Sequence, residues 1–196
     1  ITFEGDCLKH HVARQVMKTI HTLIPDIYKL LGHDSEAGWF TPEIAREFGI
    51  ELGITLKTSL SDERIPRLRL SQMGPKCPRA LWYSIHHPEL NEVLPPYAKF
   101  KYAYGHIIEA LVIALAKAAG HEVTGEQDAL ILDGVTGHRD CVIDGCLVDV
   151  KSSSSISFGK FKDRTIAQND TFGYLDQLDG YLVASAEDPL VRVKDK

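Results

Sequence analysis

The amino-acid sequence predicts a mixed α/β fold whose core runs helix, strand, strand, strand, helix, strand, preceded by an N-terminal helical extension. Two observations carry this prediction. Two Asp-Gly pairs separate β-like runs, and stretches with apolar residues at three-to-four spacing lie on either side of them. The 196 residues fit one domain with a modest extension. With 44% hydrophobic and 25% charged residues, the chain has the composition of a soluble globular protein with a sizeable core.

The N-terminal region, residues 1–95, is predicted to be helical and to pack on or beside the core. Cys7–Ile24 has the apolar spacing of an amphipathic helix, and Pro25 restarts it as a short helix that ends near Gly32. A further helix begins at Thr41-Pro42-Glu43, with Thr as N-cap, and is expected to end near Phe48 or Gly49.

The core, residues 96–196, opens with a helix over about 98–119 that ends at Gly120. Hairpin turns at Asp133-Gly134 and Asp144-Gly145 predict antiparallel strands near 122–132, 135–143 and 146–152. A second helix follows over about 171–185, capped by Asn169 or Asp170. The last strand is expected at Leu190–Val193.

The second hairpin places acidic residues together. A two-residue turn at Asp144-Gly145 fixes the register and predicts four facing pairs: Ile143 with Cys146, Val142 with Leu147, Cys141 with Val148, and Asp140 with Asp149. Alternation then puts Arg139, Cys141, Ile143, Cys146, Val148 and Val150 on one face and His138, Asp140, Val142, Leu147, Asp149 and Lys151 on the other.

Facing carboxylates repel each other, and a divalent cation between them would offset this more than Lys151 can. A solvent-facing pair of acids that arose by chance is the alternative. Asp144 is assigned to the turn and not to the site, because Asp before Gly is explained by turn chemistry.

Four further residues on the flanking helices bear on the site. Glu109 shares its helical face with apolar residues, so its carboxylate needs a metal or a basic partner, for which Lys151 or Arg139 could serve. His106 is expected to be a surface residue or a neighbour of the ligands. Gln177 and Tyr181 lie one turn apart, either at the site or simply packed on the sheet.

These residues form ordered motifs that resemble those of the RecB-like branch of the PD-(D/E)xK nucleases, which includes phage and recombination exonucleases. The four motifs are Gly105-x-x-x-Glu109, Gly137-x-x-Asp140, Asp149-x-Lys151 and Gln177-x-x-x-Tyr181. The resemblance covers about residues 97–196 and implies a restriction-endonuclease-like core. Many relatives have His at the position of Glu109, and others have Glu.

The resemblance implies hydrolysis of DNA phosphodiester bonds with one or two Mg²⁺ or Mn²⁺ ions. It implies metal ligation by Glu109, Asp140, Asp149 and the Val150 carbonyl, and catalytic roles for Lys151, Gln177 and Tyr181 beside the three acids. The residues expected to contact DNA are Arg79, Ser152, Ser153, Lys160 and Lys162. An exonuclease is favoured because the Gln-x-x-x-Tyr helix is similar to the end-processing branch. The alternatives are a sequence- or structure-specific endonuclease, a non-catalytic nucleic-acid-binding relative, and an interaction module in residues 1–95.

The segment around Cys77-Pro78-Arg79 resembles one that precedes the nuclease core in the same group. Some relatives use this Cys with three others after the Gln-x-x-x-Tyr helix to hold an iron–sulfur cluster. No Cys follows Tyr181 here, so an iron–sulfur cluster is not expected and Cys77 is predicted to be a core cysteine.

Composition limits the remaining expectations. The net charge of −5 argues against a general nucleic-acid coat, although the stretch 57–79 is basic and is either a solvated face or a surface that follows phosphates. The four cysteines form no CxxC pair, and the sequence has no recognisable membrane span or signal segment. We therefore expect a cytoplasmic protein, in the host cytoplasm if it is viral. DNA is the expected partner, with a recombination protein, a single-strand-binding protein or a second copy as further candidates.

Overall fold

The computed structural model describes residues 18–32, 40–60, 65–74 and 77–194. In this part of the chain the α-helices are α1 (Leu23–Leu31), α2 (Pro42–Leu60), α3 (Pro78–His86), α4 (Pro96–Ala118), α5 (Ser155–Lys162) and α6 (Tyr174–Ala184). The strands are β1 (Val123–Thr124), β2 (Ala129–Leu132), β3 (Val135–His138), β4 (Cys141–Ile143) and β5 (Cys146–Val148). They form two small antiparallel sheets, β1-β4-β5 and β2-β3, so the mixed α/β class is confirmed.

Helix α4 is the long central element, and it ends where the sequence predicts. Gly120 has φ +80°, and its N–H donates to the Lys117 carbonyl across 2.9 Å. The His121 N–H reaches back to the Ala116 carbonyl at 3.1 Å. These two bonds close the helix end in a Schellman motif that needs glycine's freedom at positive φ.

The N-terminal helices begin or end differently from the prediction. Thr41 does cap α2, since its hydroxyl accepts from the Ile44 N–H at 3.3 Å, but the helix continues to Leu60 instead of ending near Gly49. It packs along α4, and this tertiary contact outweighs the low helix propensity of glycine. Pro25 does not restart a helix, because α1 begins at Leu23 and accommodates the proline in its first turn. Most of the predicted helix Cys7–Ile24 lies outside the described residues.

Both predicted hairpin turns are confirmed. Asp133 and Gly134 have φ of +48° and +78°, and Asp144 and Gly145 have φ of +52° and +81°. Positive φ at both central residues is typical of type I′ turns, whose twist suits a hairpin. The register of β4 and β5 is as counted: Cys141 faces Val148, Val142 faces Leu147 and Ile143 faces Cys146. Asp140 and Asp149 lie immediately beyond the Cys141–Val148 pair, at the open end of this ladder.

The two longer strands were predicted too long, because each is interrupted. Val123 pairs with Ile143, whereas Ala129 pairs with His138, so the segment 125–128 contains one residue more than the opposite strand. Gly125 and Gln127 take φ of +60° and +55° there, as in a β-bulge. The interruption divides the predicted hairpin into β1–β4 and β2–β3 and turns the backbone immediately beside Asp140.

The segments after β5 also differ from expectation. β5 ends at Val148 instead of 152, and the short helix α5, which was not predicted, follows it. The N-cap of α6 is Gly173, not Asn169 or Asp170, although the Asp170 carboxylate still accepts from the Leu175 N–H at 2.7 Å.

The predicted last strand is reduced to a single bridge between Val193 and Cys146. Both the Arg192 and the Val193 N–H groups donate to the Gly145 carbonyl, so no regular ladder forms.

The hairpin β4–β5 lies between two apolar clusters. Cys141 and Ile143 pack with α1 and α4 on one side. Val142 and Leu147 pack on the other side with α6 and with Leu70, which comes before the predicted core region 96–196 in the chain. The predicted alternation is therefore correct, and both faces are buried, which fixes the position of the acids at the open end of the hairpin. Within the described residues, the helices lack the combined length and apolar character that a membrane span requires.

Candidate active site

Asp140 and Asp149 come from opposite strands and are joined through the backbone. Asp140 precedes β4, and its carboxylate accepts a hydrogen bond from the Val150 N–H at 2.6 Å. Val150 follows Asp149 directly, so this bond holds the two acidic positions side by side. The predicted pair of Asp140 and Asp149 is not part of the ladder, which ends at Cys141 and Val148, and the side-chain bond to Val150 keeps the two acids close instead.

Both carboxylate oxygens of Asp149 have side-chain partners. Its Oδ2 lies 2.7 Å from the Lys151 Nζ, and its Oδ1 accepts from the Gln177 Nε2 at 3.1 Å. Only 9% of the Asp149 side chain is exposed. Burial raises the pKa of Asp149 above its ordinary value, and the attraction of Lys151 offsets this only in part.

Gln177 and Tyr181 lie on the face of α6 that covers the site. Gln177 is buried, and its Nε2 also contacts the Tyr181 Oη at 3.0 Å. Tyr181 is 2% exposed and packs in the apolar cluster with Leu70 and Val142. Burial, and secondarily Asp149, raises the pKa of Tyr181 to about 12, so its phenol is neutral at physiological pH. Tyr181 therefore supports Gln177 and packs on the sheet at the same time.

Glu109 reaches the site from α4 with its side chain 13% exposed. Its Oε2 lies 3.3 Å from the Nδ1 of His106, and its Oε1 accepts from the Gln127 Nε2. The hydrogen bond to Glu109 raises the pKa of His106. His106 is thus an exposed neighbour of the candidate ligand, as expected. The suggested basic partners are engaged elsewhere, since Lys151 pairs with Asp149 and Arg139 pairs with Asp128 and Asp188.

The pKa of Asp140 is shifted by its burial and by all the charged groups of the site. Burial raises its pKa to about 7, and the nearby charges of Glu109 and Asp149 add to the effect. The Val150 N–H and Lys151 act in the opposite direction but do not cancel it. Three carboxyl groups therefore share one partly buried region together with one ammonium, and their full ionisation is unfavourable without further positive charge.

The donor chemistry suits a hard divalent cation, whereas the side-chain arrangement is not a closed ligand set. Carboxylate oxygens are the ligands that Mg²⁺ and Mn²⁺ prefer. Among the described residues, however, His, Cys, Asp and Glu side chains do not converge in threes on one metal position. The contacts explain this: Glu109 is turned to His106 and Gln127, and both Asp149 oxygens are already in use.

The residues expected to contact DNA lie on three segments: the stretch after Lys151, α5 and α3. Ser152 and Ser153 are exposed directly after Lys151, and a Cβ on Gly105 of α4 would stand 3.4 Å from the Ser152 Oγ. Lys162 is exposed on α5, whereas Lys160 donates to the Asn169 carbonyl at 3.1 Å. Arg79 lies on α3, exposed, with its guanidinium 5.8 Å from the centre of the Tyr83 ring on the same helix.

The prediction that Cys77 is a core cysteine is wrong. Cys77 is exposed and occupies the N-cap position of α3, immediately before Pro78. A helix start at the surface leaves its side chain in solvent. In the basic stretch, Arg67 and Arg69 are also exposed, and Arg64 and Lys76 lie outside the described residues.

Sequence reasoning missed Gln127 and the role of Arg139. Gln127 donates to Glu109 from the interrupted part of the strand, where its φ is positive, and no periodic pattern signals such an interruption. The sequence predicts that Arg139 lies on the apolar face of the hairpin, and it offers Arg139 as a possible basic partner of Glu109. It is instead 2% exposed, with its guanidinium 2.6 Å from both Asp128 and Asp188. A buried arginine needs such partners, so its presence in an apolar strand was the available signal.

Comparisons of the chain with protein-family models, with curated proteins and with solved structures found no match. The motifs and the geometry of the acidic site are therefore the basis for inferring a function.

Proposed function

We propose that this protein is a Mg²⁺- or Mn²⁺-dependent deoxyribonuclease that hydrolyses phosphodiester bonds at the site formed by Glu109, Asp140, Asp149 and Lys151. One arrangement carries the proposal: Asp140 and Asp149 lie at the open end of the hairpin with the Lys151 Nζ 2.7 Å from Asp149, and Glu109 is close enough to raise the pKa of Asp140. Several carboxyl groups that repel one another in a partly buried region, beside one lysine, are typical of functional sites. They are typical in particular of sites that bind cations.

The ligands would be Asp140, Asp149 and Glu109, with the Val150 carbonyl. Glu109 would exchange its contacts with His106 and Gln127 for the metal, which the exposure of both partners allows. The bound cation would supply a more acidic water molecule and would neutralise charge on the phosphate.

The protein's own groups have separate tasks. Lys151 Nζ, 2.7 Å from Asp149, is placed to hold or accept a proton at the attacking water or to offset charge on the leaving oxygen. Gln177 fixes the orientation of Asp149 through its amide, and Tyr181 fixes Gln177. The exposed hydroxyls of Ser152 and Ser153 are available to a phosphate beside Lys151.

Among deoxyribonucleases we favour an exonuclease, because the Gln177-x-x-x-Tyr181 helix resembles the end-processing branch of the PD-(D/E)xK nucleases. Incubation of linear, nicked and closed-circular DNA with Mg²⁺, Mn²⁺ or EDTA tests this. An exonuclease degrades linear DNA in either metal, leaves closed circles intact and is inactive in EDTA. Cleavage of closed circles would identify an endonuclease instead.

Two variants test the site itself. Asp149→Asn and Lys151→Ala should each abolish cleavage while the far-ultraviolet circular dichroism spectrum stays unchanged. Asp133→Asn in the first hairpin turn and Lys29→Ala on α1 are matched controls, because both positions are exposed and lie on other elements. Full activity in a folded Asp149→Asn or Lys151→Ala protein would overturn the proposal.

A further inference from the structure

Three aromatic rings form a partly exposed surface beside the candidate active site, here called the aromatic platform: Phe161 at the end of α5, Phe172 before α6, and Tyr174 at the start of α6. The rings of Phe172 and Tyr174 are stacked with centroids 5.4 Å apart and planes 26° apart. Phe161 lies 6.0 Å from Tyr174 at 31°. Phe172 and Tyr174 therefore cover one face of each other, and the 62% exposure of Phe172 leaves its other face open to solvent.

The platform is connected to the site through Tyr174. The Lys151 Nζ lies 5.8 Å from the centre of the Tyr174 ring and 2.7 Å from the Asp149 carboxylate. The lysine therefore marks the border between the acidic site and the aromatic surface. A nucleic-acid strand whose phosphate is at Lys151 would have its neighbouring bases over these rings.

The two phenylalanines of the platform are unusually exposed to solvent for apolar aromatic side chains. Phe172 is 62% exposed and Phe161 is 36% exposed. The surface is also held in shape, because Lys160 on α5 donates to the Asn169 carbonyl shortly before Phe172. An ordered, exposed aromatic surface beside a polar site is characteristic of a binding face.

The surroundings carry cations and hydroxyl groups, together with the exposed acids Asp163 and Asp176. Lys162 is exposed on α5 next to Phe161, and the exposed Ser152 and Ser153 follow Lys151. Stacking rings edged by cations and hydroxyls match a polyanion with unpaired bases. A lipid or an apolar protein surface would leave these polar groups without an equivalent partner.

We infer that the aromatic platform stacks unpaired bases, so that the strand presented to the acidic site is single-stranded. This inference rests on the proposed nuclease function and specifies its substrate class. In an intact duplex the bases stack on one another and only their edges face the grooves, so ring faces have nothing equivalent to contact. A single strand exposes base faces to any aromatic ring.

Fluorescence anisotropy with a labelled oligothymidine in EDTA tests the platform without cleavage. Phe172→Ala and Phe161→Ala should each weaken binding of the single strand by roughly tenfold, the loss expected for one base stack. Phe172→Tyr should bind the single strand as tightly as the unmodified protein does, because it keeps the aromatic ring. Val183→Ala on α6 is the matched control, since Val183 is apolar and 59% exposed but is not part of the platform. Binding of a blunt duplex should be weaker than binding of the single strand and insensitive to all four substitutions.

The outcomes separate this inference from the proposed function. If the alanine variants bind the single strand as tightly as the unmodified protein, or if the unmodified protein prefers the duplex, the inference is overturned even where Lys151→Ala abolishes cleavage. Conversely, cleavage that persists in a folded Lys151→Ala protein overturns the proposed function, whatever the platform binds. Retained folding of each variant is checked by its thermal unfolding curve.

Discussion

The side chain of Gln177 donates a hydrogen bond to the Asp149 carboxylate across 3.1 Å, and this contact joins α6 to the acidic end of the β4–β5 hairpin. The same amide nitrogen contacts the Tyr181 Oη at 3.0 Å. Gln177 is buried, so water does not readily replace it. The orientation of Asp149 therefore depends on a helix that begins more than twenty residues later in the chain.

Gln177→Ala should lower kcat of the proposed nuclease by roughly tenfold to a hundredfold. A hydrogen bond to a charged group contributes about 1.5–3 kcal/mol, and its loss frees Asp149 to rotate. Tyr181→Phe is the control, because it keeps the packed ring and removes only the hydroxyl that contacts Gln177; it should cost less than tenfold. Steady-state kinetics on linear DNA measure both. An unchanged kcat for Gln177→Ala would show that Asp149 does not need this contact.

The parts of the fold that local chemistry determines were predictable from the sequence. Asp-Gly pairs specify type I′ turns, so the β4–β5 register followed by counting from Asp144-Gly145. Gly120 after Lys117 specified the end of α4 for the same local reason. The side-by-side placement of Asp140 and Asp149 and the position of Lys151 beside them follow from that register.

The remaining features depend on contacts between distant segments. The length of α2 is set by packing on α4, and the division of the strands by the extra residue opposite Asp140. Gln127 reaches Glu109 only across that interruption. Leu70 enters the core beside Tyr181 from outside the predicted core region. Periodicity carries no information on which distant segments meet.

Gly137→Ala should destabilise the protein by about 1–3 kcal/mol, because a new methyl group would overpack the core. A Cβ there would stand 2.8 Å from the Leu70 Cβ and 2.9 Å from the Tyr181 Cε1. Displacement of Tyr181 should also lower nuclease activity. Gly53→Ala in α2 is the matched control: a Cβ there meets nothing within 4 Å, and alanine favours the helix by up to about 1 kcal/mol. Urea unfolding compares the two, and equal stabilities would contradict the packing argument.

Arg139→Met should destabilise the protein by about 1–3 kcal/mol, because the hydrogen bonds of a buried cation are lost while its acidic partners stay partly in water. The guanidinium is 2 % exposed and lies 2.6 Å from Asp128 and Asp188, so it connects the interrupted strand to the segment after α6. Arg192→Met is the control, since the Arg192–Glu122 pair is more than half exposed and should contribute at most about 1 kcal/mol. Similar urea midpoints for the two variants would refute the assigned role of Arg139.

Asp140→Asn should stabilise the metal-free protein at pH 8 and have little effect at pH 4. The pKa of Asp140 is about 7 in the folded protein, against an ordinary value of 3.8. Its contribution to the free energy of unfolding is therefore fully present below pH 3.8, where the carboxyl group is protonated in both states, and is lost as the pH rises through 7. The difference amounts to at most about 4 kcal/mol, so relieving it should raise Tm by up to roughly 10 °C. Asparagine keeps an oxygen for the Val150 N–H. Differential scanning calorimetry in EDTA at both pH values measures the effect, with Asp133→Asn as control. Saturating Mg²⁺ should reduce the advantage, because the cation replaces the missing positive charge; an Asp140→Asn effect independent of pH would contradict the raised pKa.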